Sequence, residues 1–415
     1  MRKTKLIAVN IVEILLLLIA IWALTPFVKN NINQLYAVIL GIICLVIILS
    51  SGGILNKNVL LIVILMFFVL MYKLVGVSDE TIAAHSNMFL YFVTMISSIY
   101  LTKKLPVKRR VRFGALILLI LILNVIQEIG IYFMLGSQSL YSTENLLSQG
   151  YAVGSTSFVA VVMLMSMLMT SIFFFDVMKK SKVLCVVMVL LGFFFVFYVV
   201  TRATALIFMI IFVISCVALG VHKRTSVKSV FLFITVFAVT LAVFPILLRF
   251  VINSGPEYFA RKFSIIELFL NGSVAVSEDS MVESSFITRL YVAGVSLKTW
   301  FSSTAVFFFG KGYDAGFYMI SGIGKHSELI DLFPKYGLVG VTLFSITFAG
   351  YFKYIKSRLN VKKPYLMIVA FFIIYSVFNG VFQFDIGVFM NLTIPFILSG
   401  FKMTEKGKIV FAYNR

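Results

Sequence analysis

The stretch 113–126 is apolar at nearly every position, and the chain is built from a series of such runs separated by short polar segments. Runs of this length exceed the roughly 9 to 11 residues that a tilted transmembrane strand needs, and they lack the alternation of a barrel strand. In a bilayer, the remaining solution is the α-helix, which satisfies its own backbone hydrogen bonds. Composition agrees. Of the 415 residues 61% are hydrophobic and 13% charged, against about half and about a quarter in soluble domains. With no long polar tract, there is no room for a separate soluble domain, a disordered tail or a rod. Residues 1–415 read as a single all-α polytopic transmembrane domain.

Spanning runs are expected at 6–28, 35–54, 59–77, 87–101, 113–135, 155–178, 183–200, 203–220, 230–251, 338–354, 364–382 and 386–401, about 12 in all. The first follows Arg2, Lys3 and Lys5 but is longer than the roughly 7 to 15 apolar residues of a secretory signal, so it reads as a retained helix. The net charge of +20, from 36 Lys and Arg against 16 Asp and Glu, would in a soluble protein suggest a nucleic-acid partner. Here the basic residues fall in alternate loops, which is the charge pattern of cytoplasmic loops. Those loops hold Lys57; Lys103, Lys104, Lys108, Arg109, Arg110 and Arg112; Lys179, Lys180 and Lys182; Lys223, Arg224 and Lys228; and Lys353, Lys356, Arg358, Lys362 and Lys363, with Lys402, Lys406 and Lys408 in the tail. The other set carries Asp79, Glu80 and Glu144, with Lys29 as a basic exception. Both termini are therefore expected in the cytoplasm, and no nucleic acid is expected as a partner.

Between the ninth and tenth runs lies a long segment, 252–337, expected outside the cytoplasm; a loop of that length in a compact domain usually serves function. Within it, Ser285 to Phe301 has the pattern of an amphipathic interfacial helix carrying Arg289. Gly310-Lys311-Gly312 follows, and then His326-Ser327-Glu328 leads to Tyr336-Gly337-Leu338-Val339-Gly340. Arg202, in Thr201-Arg202-Ala203, separates two apolar runs so closely that it falls at or just below the outer membrane surface. An arginine there can snorkel from a helix end, Arg289 can be a solvated charge and His326 a surface residue. Positive-inside bias works against a lone outer arginine, which favours function for Arg202.

Other chemistries find less support. His85, His222 and His326 do not cluster with carboxylates at metal-ligand spacing, so neither metal nor cofactor is expected. Gly310 to Gly312 lacks the Gly-Lys-Ser/Thr of a P-loop, and no Gly-x-Ser-x-Gly elbow or dinucleotide fingerprint sits on a strand. Cys44, Cys185 and Cys216 each sit inside an apolar run and read as core or lipid-facing residues. Glu13, Glu128 and Asp176 lie in or near apolar runs, as ion-coupling groups of a transporter or as interhelical hydrogen-bonding groups.

Arg202 between adjacent spans, a long outer loop with Arg289, Gly310-x-Gly312, and His326-Ser327 followed by Gly337 and Gly340 together resemble the O-antigen polymerase and ligase superfamily, the Wzy-type repeat-unit polymerases and their ligase relatives. The resemblance implies a metal-independent glycosyltransferase of the cytoplasmic (inner) membrane with its active site on the extracytoplasmic face. Its donor and acceptor would be undecaprenyl diphosphate-linked oligosaccharides, with a chain-length regulator and a flippase as further partners. It implies that Arg202 and Arg289 bind the diphosphate and that His326 is the base, oriented by Glu328. The pair Pro334-Lys335 departs from the family pattern. A ligase of the same superfamily, or a flippase or transporter of the same lipid-linked sugars, remains the alternative.

Overall fold

The computed structural model describes residues 2–51, 56–74, 82–135, 156–174, 182–196, 203–221, 287–312, 323, 327–403 and 409–411. The expected ninth span, 230–251, and most of the long loop lie outside the described residues, as do Arg202, His326, Asp176 and His222. Among the described residues, four helices are long and apolar enough to cross a membrane: Ile7–Leu24, Val107–Ile131, Ser157–Phe174 and Glu328–Ser357. Shorter apolar helices occupy Gln34–Ser50, Lys57–Tyr72, Val183–Phe194, Ala205–Cys216 and Phe384–Ser399. Their outward faces are apolar, with Val183 73% and Phe67 64% exposed. Contiguous surfaces of that kind are stable against lipid and not against water. The chain is an all-α membrane protein, with one short C-terminal hairpin in which Phe401–Met403 (β1) pairs antiparallel with Ile409–Phe411 (β2).

In chain order the helices are α1 Arg2–Leu24, α2 Pro26–Asn31, α3 Gln34–Ser50, α4 Lys57–Leu74, α5 Ile82–Lys104, α6 Val107–Leu135, α7 Thr156–Phe174, α8 Lys182–Phe194 and α9 Ala203–Val221. Then follow α10 Ile287–Trp300, α11 Thr304–Phe309, α12 Glu328–Ser357, α13 Lys362–Ser376 and α14 Phe384–Ser399. The expected first span is divided at Pro26. Thr25 is extended (φ −105°, ψ 101°) because the residue before a proline is driven out of the helical region. The tenth span begins ten residues earlier than its apolar run, at Glu328, and breaks at Gly337 (φ 62°).

Contacts set the direction of each helix. Arg109 at the start of α6 pairs with Glu13 of α1 and donates to Asn10 Oδ1 at 2.7 Å. Ser51, just past α3, donates to Tyr100 near the end of α5 at 3.0 Å, and Gly350 of α12 faces Asn58 at the start of α4. These ends carry the basic clusters, so the starts of α1, α4 and α6 and the ends of α3, α5 and α12 share one end of the bundle. At the opposite end Gln34 donates to Asn87 at 3.1 Å, Trp22 packs on Phe384, Tyr72 donates to the Phe309 carbonyl, and the Glu328 amide donates to the Asn379 carbonyl at 3.3 Å. α9 starts there too, since its Phe208 packs on Tyr375 and Phe378 at the end of α13 while Phe212 reaches back to Phe371.

Near mid-bundle, residues Val388–Thr393 of α14 form a π turn. Pro395 explains it: proline has no N–H for the carbonyl four residues back and its ring clashes with that carbonyl, and a π turn widens the helix to admit it. The carbonyl in question belongs to Asn391, and it accepts the Tyr351 hydroxyl at 3.4 Å, while Asn391 Nδ2 donates to Thr94 Oγ1 at 2.9 Å. One proline thus creates the acceptor that ties α12 to α14.

Candidate functional site

The long loop's described pieces converge on the arm of α12 that precedes Gly337. In an unbroken helix the carbonyls of Pro334 and Lys335 would accept from the amides of residues 338 and 339. The positive φ at Gly337 removes those donors, and the Lys311 and Gly312 amides replace them at 2.7 and 3.0 Å. Gly310 (φ 77°) and Gly312 (φ 73°) also adopt the left-handed conformation that costs glycine nothing. The approach is backbone to backbone: a Cβ on Gly310 would lie 2.3 Å from the Lys335 oxygen, and one on Gly337 2.4 Å from the Phe308 carbonyl. The glycines of the sequence pattern are therefore a crossing point, and Pro334-Lys335, its apparent irregularity, supplies the acceptors.

Two carboxylates fix the same arm. Asp331, 3% exposed, accepts from the Ser296 hydroxyl of α10 at 2.7 Å and from the Ser327 amide at 3.3 Å. Ser327 caps α12, its hydroxyl accepting from the Ile330 amide at 3.2 Å, as serine at an N-cap does. Glu328 Oε2 accepts from the amides of Val381 and Phe382 at 3.2 and 3.4 Å. Trp300, at the end of α10, stacks on Phe307, contacts Phe333, and donates to the Phe307 carbonyl at 3.0 Å. The arm is thus held by α10, α11 and the turn before α14 together.

Of the residues expected to act, Arg289 lies in the first turn of α10 and Glu328 opens α12, and α10 and α12 pack against each other. Arg289's side chain, like Arg202 and His326, lies outside the described part. The start of α9, which follows Arg202, lies at the same end of the bundle as Ser327, the residue after His326, the two joined through Phe378 and Asn379, and α10, which carries Arg289, packs against α12 at that end. The Glu328 carboxylate is engaged by backbone amides, which gives it a fixed position beside that residue.

For other polar groups noted in the sequence, the structure supplies the surroundings. Lys29, the basic exception among the outer loops, lies 3.6 Å from Asp385, whose side chain is 1% exposed. A buried carboxylate keeps a cation at an end of the bundle where charge bias alone would exclude one. Glu13 pairs with Arg109, so of its two readings the interhelical one is observed. Glu128 is buried in α6 and its Oε2 has no hydrogen-bond partner among the described residues. The three cysteines are buried and free, and no three His, Cys, Asp or Glu side chains gather as a metal-binding group among the described residues.

The Ser296–Asp331 bond predicts a measurable effect. Ser296→Ala removes a donor from a buried carboxylate, which costs about 1–3 kcal/mol. Thermal unfolding of the purified protein in detergent should show a lower Tm, and partial proteolysis should cut first between α10 and α12. An unchanged Tm would mean that the α10–α12 contact carries little of the loop's stability.

The sequence matches no protein-family model and no curated protein.

Proposed function

We propose that this protein is a glycosyltransferase that joins lipid diphosphate-linked oligosaccharide repeat units into a surface polysaccharide (capsule, exopolysaccharide or O-antigen) at the outer face of the cytoplasmic membrane. The observation that supports the reading is that the start of α9, the helix bearing Arg289 and the start of α12 share the end of the bundle opposite the basic clusters. If basic loops stay in the cytoplasm, that end faces outward.

The chemistry suits those residue types. A diphosphate donor is anionic and sits at the membrane surface, where the forks of Arg202 and Arg289 contact it bidentately. The acceptor hydroxyl oxygen forms a bond to the anomeric carbon, the bond from that carbon to the diphosphate breaks, and the lipid diphosphate leaves with the electron pair. Negative charge grows on the leaving group, so fixed guanidinium groups stabilise the transition state more than the ground state. His326, as neutral imidazole, takes the hydroxyl proton, and Glu328 orients it from the turn to which it is clamped. The donor's own bond between the anomeric carbon and the diphosphate supplies the free energy as it breaks, so no nucleotide is required.

A ligase would use the same donor chemistry with a different acceptor. A transporter of the same lipid-linked sugars is favoured by one described feature, the buried carboxylate of Glu128 with its unpartnered oxygen, since intramembrane acids mark ion-coupled pathways. The test is purified protein in liposomes with a defined lipid-linked repeat unit, read on gels. A ladder is expected for the parent. Arg202→Lys should lose most of it although the charge is kept, because a point ammonium cannot reproduce a bidentate grip, and Arg289→Ala should behave alike. Normal ladders from both variants would reduce these arginines to snorkelling and solvated charges.

A further inference from the structure

At the basic end of the bundle, Arg110 of α6 is 8% exposed, and its Nε has no hydrogen-bond partner among the described residues. Its electrostatic neighbours are Arg358, just past the end of α12, and Tyr354. The Tyr354 hydroxyl is likewise buried and has no partner among the described residues, while its ring is covered by the Arg358 guanidinium, 5.4 Å from the centroid. Glu13 is the acid described at this end, and it belongs to Arg109.

This arrangement is costly as it stands. A buried Nε–H without an acceptor leaves part of the guanidinium's desolvation cost uncompensated, and a second guanidinium nearby adds repulsion. Neither charge can be relieved by losing a proton, since arginine stays protonated in proteins. Buried donors are paired in the great majority of cases, so two orphans beside a like-charge pair call for an acceptor of opposite sign. Two guanidinium groups and a phenolic O–H, carried near one another on two helices, offer several donors, which suits the oxygens of a phosphate group better than a single carboxylate.

We infer that Arg110, Arg358 and Tyr354 form a binding site for a phosphate-bearing anion between the ends of α6 and α12. Two sources offer that group at a helix end of this kind: the headgroup of an anionic phospholipid in the cytoplasmic leaflet, and phosphate in solution. The site is independent of the glycosyl-transfer reading, because it lies at the opposite end of the bundle and uses none of the same residues. Occupied, it would hold α6 to α12 and remove the repulsion between their arginines.

The test uses the full chain, purified in an uncharged detergent and stripped of lipid, with phosphatidylglycerol, phosphatidylcholine or inorganic phosphate added. Native mass spectrometry reads bound molecules and thermal unfolding reads the Tm, which rises with any ligand of the folded state. Phosphatidylglycerol should be retained and should raise the Tm where phosphatidylcholine does not. A comparable rise with inorganic phosphate would assign the site to a soluble anion, and no rise with it would assign the site to lipid. Arg358→Gln, at an exposed position where folding is tolerant, should weaken the response about tenfold or more, the equivalent of one charge-assisted hydrogen bond. Arg110→Gln should do the same, whereas Lys353→Gln, which removes an exposed charge from the same helix end, should leave the response within about twofold. A parent that responds to neither anion, an Arg358→Gln variant with parental response, or an equal loss in Lys353→Gln would overturn the site.

Discussion

Chain elongation by His326→Ala is expected to fall about 10²- to 10⁴-fold, the usual consequence of removing a general base. Binding of the lipid-linked substrate should persist, because in the proposed mechanism Arg202 and Arg289, not the histidine, hold the diphosphate. The parent should lose activity as the pH falls through the ordinary imidazole range near about 6.5, since the protonated ring cannot accept the hydroxyl proton. Measured in liposomes, initial rates of ladder formation separate this from a structural role. Retained elongation in His326→Ala would make the histidine an organiser of the loop, and Glu328→Gln would then be the next variant to assay.

A comparable effect on stability is expected at Gly337. Alanine there meets both a left-handed backbone (φ 62°) and a Cβ 2.4 Å from the Phe308 carbonyl. The strained conformation costs of order 1–3 kcal/mol, and forcing main chains apart adds typically another 1–3 kcal/mol. Gly337→Ala should therefore release the Gly310–Gly312 crossing, lower the Tm sharply and suppress elongation together with it. Gly294→Ala is the matched control. It lies within α10 with nothing within 4 Å of an added Cβ, so it should raise helix stability by roughly 0.5–1 kcal/mol. Similar Tm values for the two variants would mean that the crossing is not a rigid feature.

The apolar helices were legible because their burial follows from hydrophobicity alone, and most described helix ends fall within a few residues of the expected runs. The exceptions have local causes. Pro26 divides the first run, and α12 reaches back to Glu328 because Ser327 caps it and Asp331 holds the cap. Asp331 itself gave no signal, since an acid in a polar loop reads as solvated until its partner Ser296, on another helix, is placed beside it. The glycines of 310, 312 and 337 stood out as punctuation, but that they cross each other is a fact of tertiary structure. Lys29 looked like a topological anomaly until Asp385 was found next to it. Arg110 was one of several basic residues in a single loop, and only its burial separates it from Lys108 and Arg112. Arg202, Arg289 and His326 rest on the sequence pattern, since Arg202, His326 and the Arg289 side chain lie outside the described residues.

Bond formation by this protein is read out by the stoichiometry of its leaving group. Purified protein in liposomes is given a lipid diphosphate-linked repeat unit with labels on both lipid and sugar, and free lipid diphosphate is counted against glycosidic bonds in the product. One lipid diphosphate released for each bond formed, with no added nucleotide, is the predicted result. Movement of the intact labelled lipid across the bilayer with no release and no ladder would contradict it and make the protein a transporter.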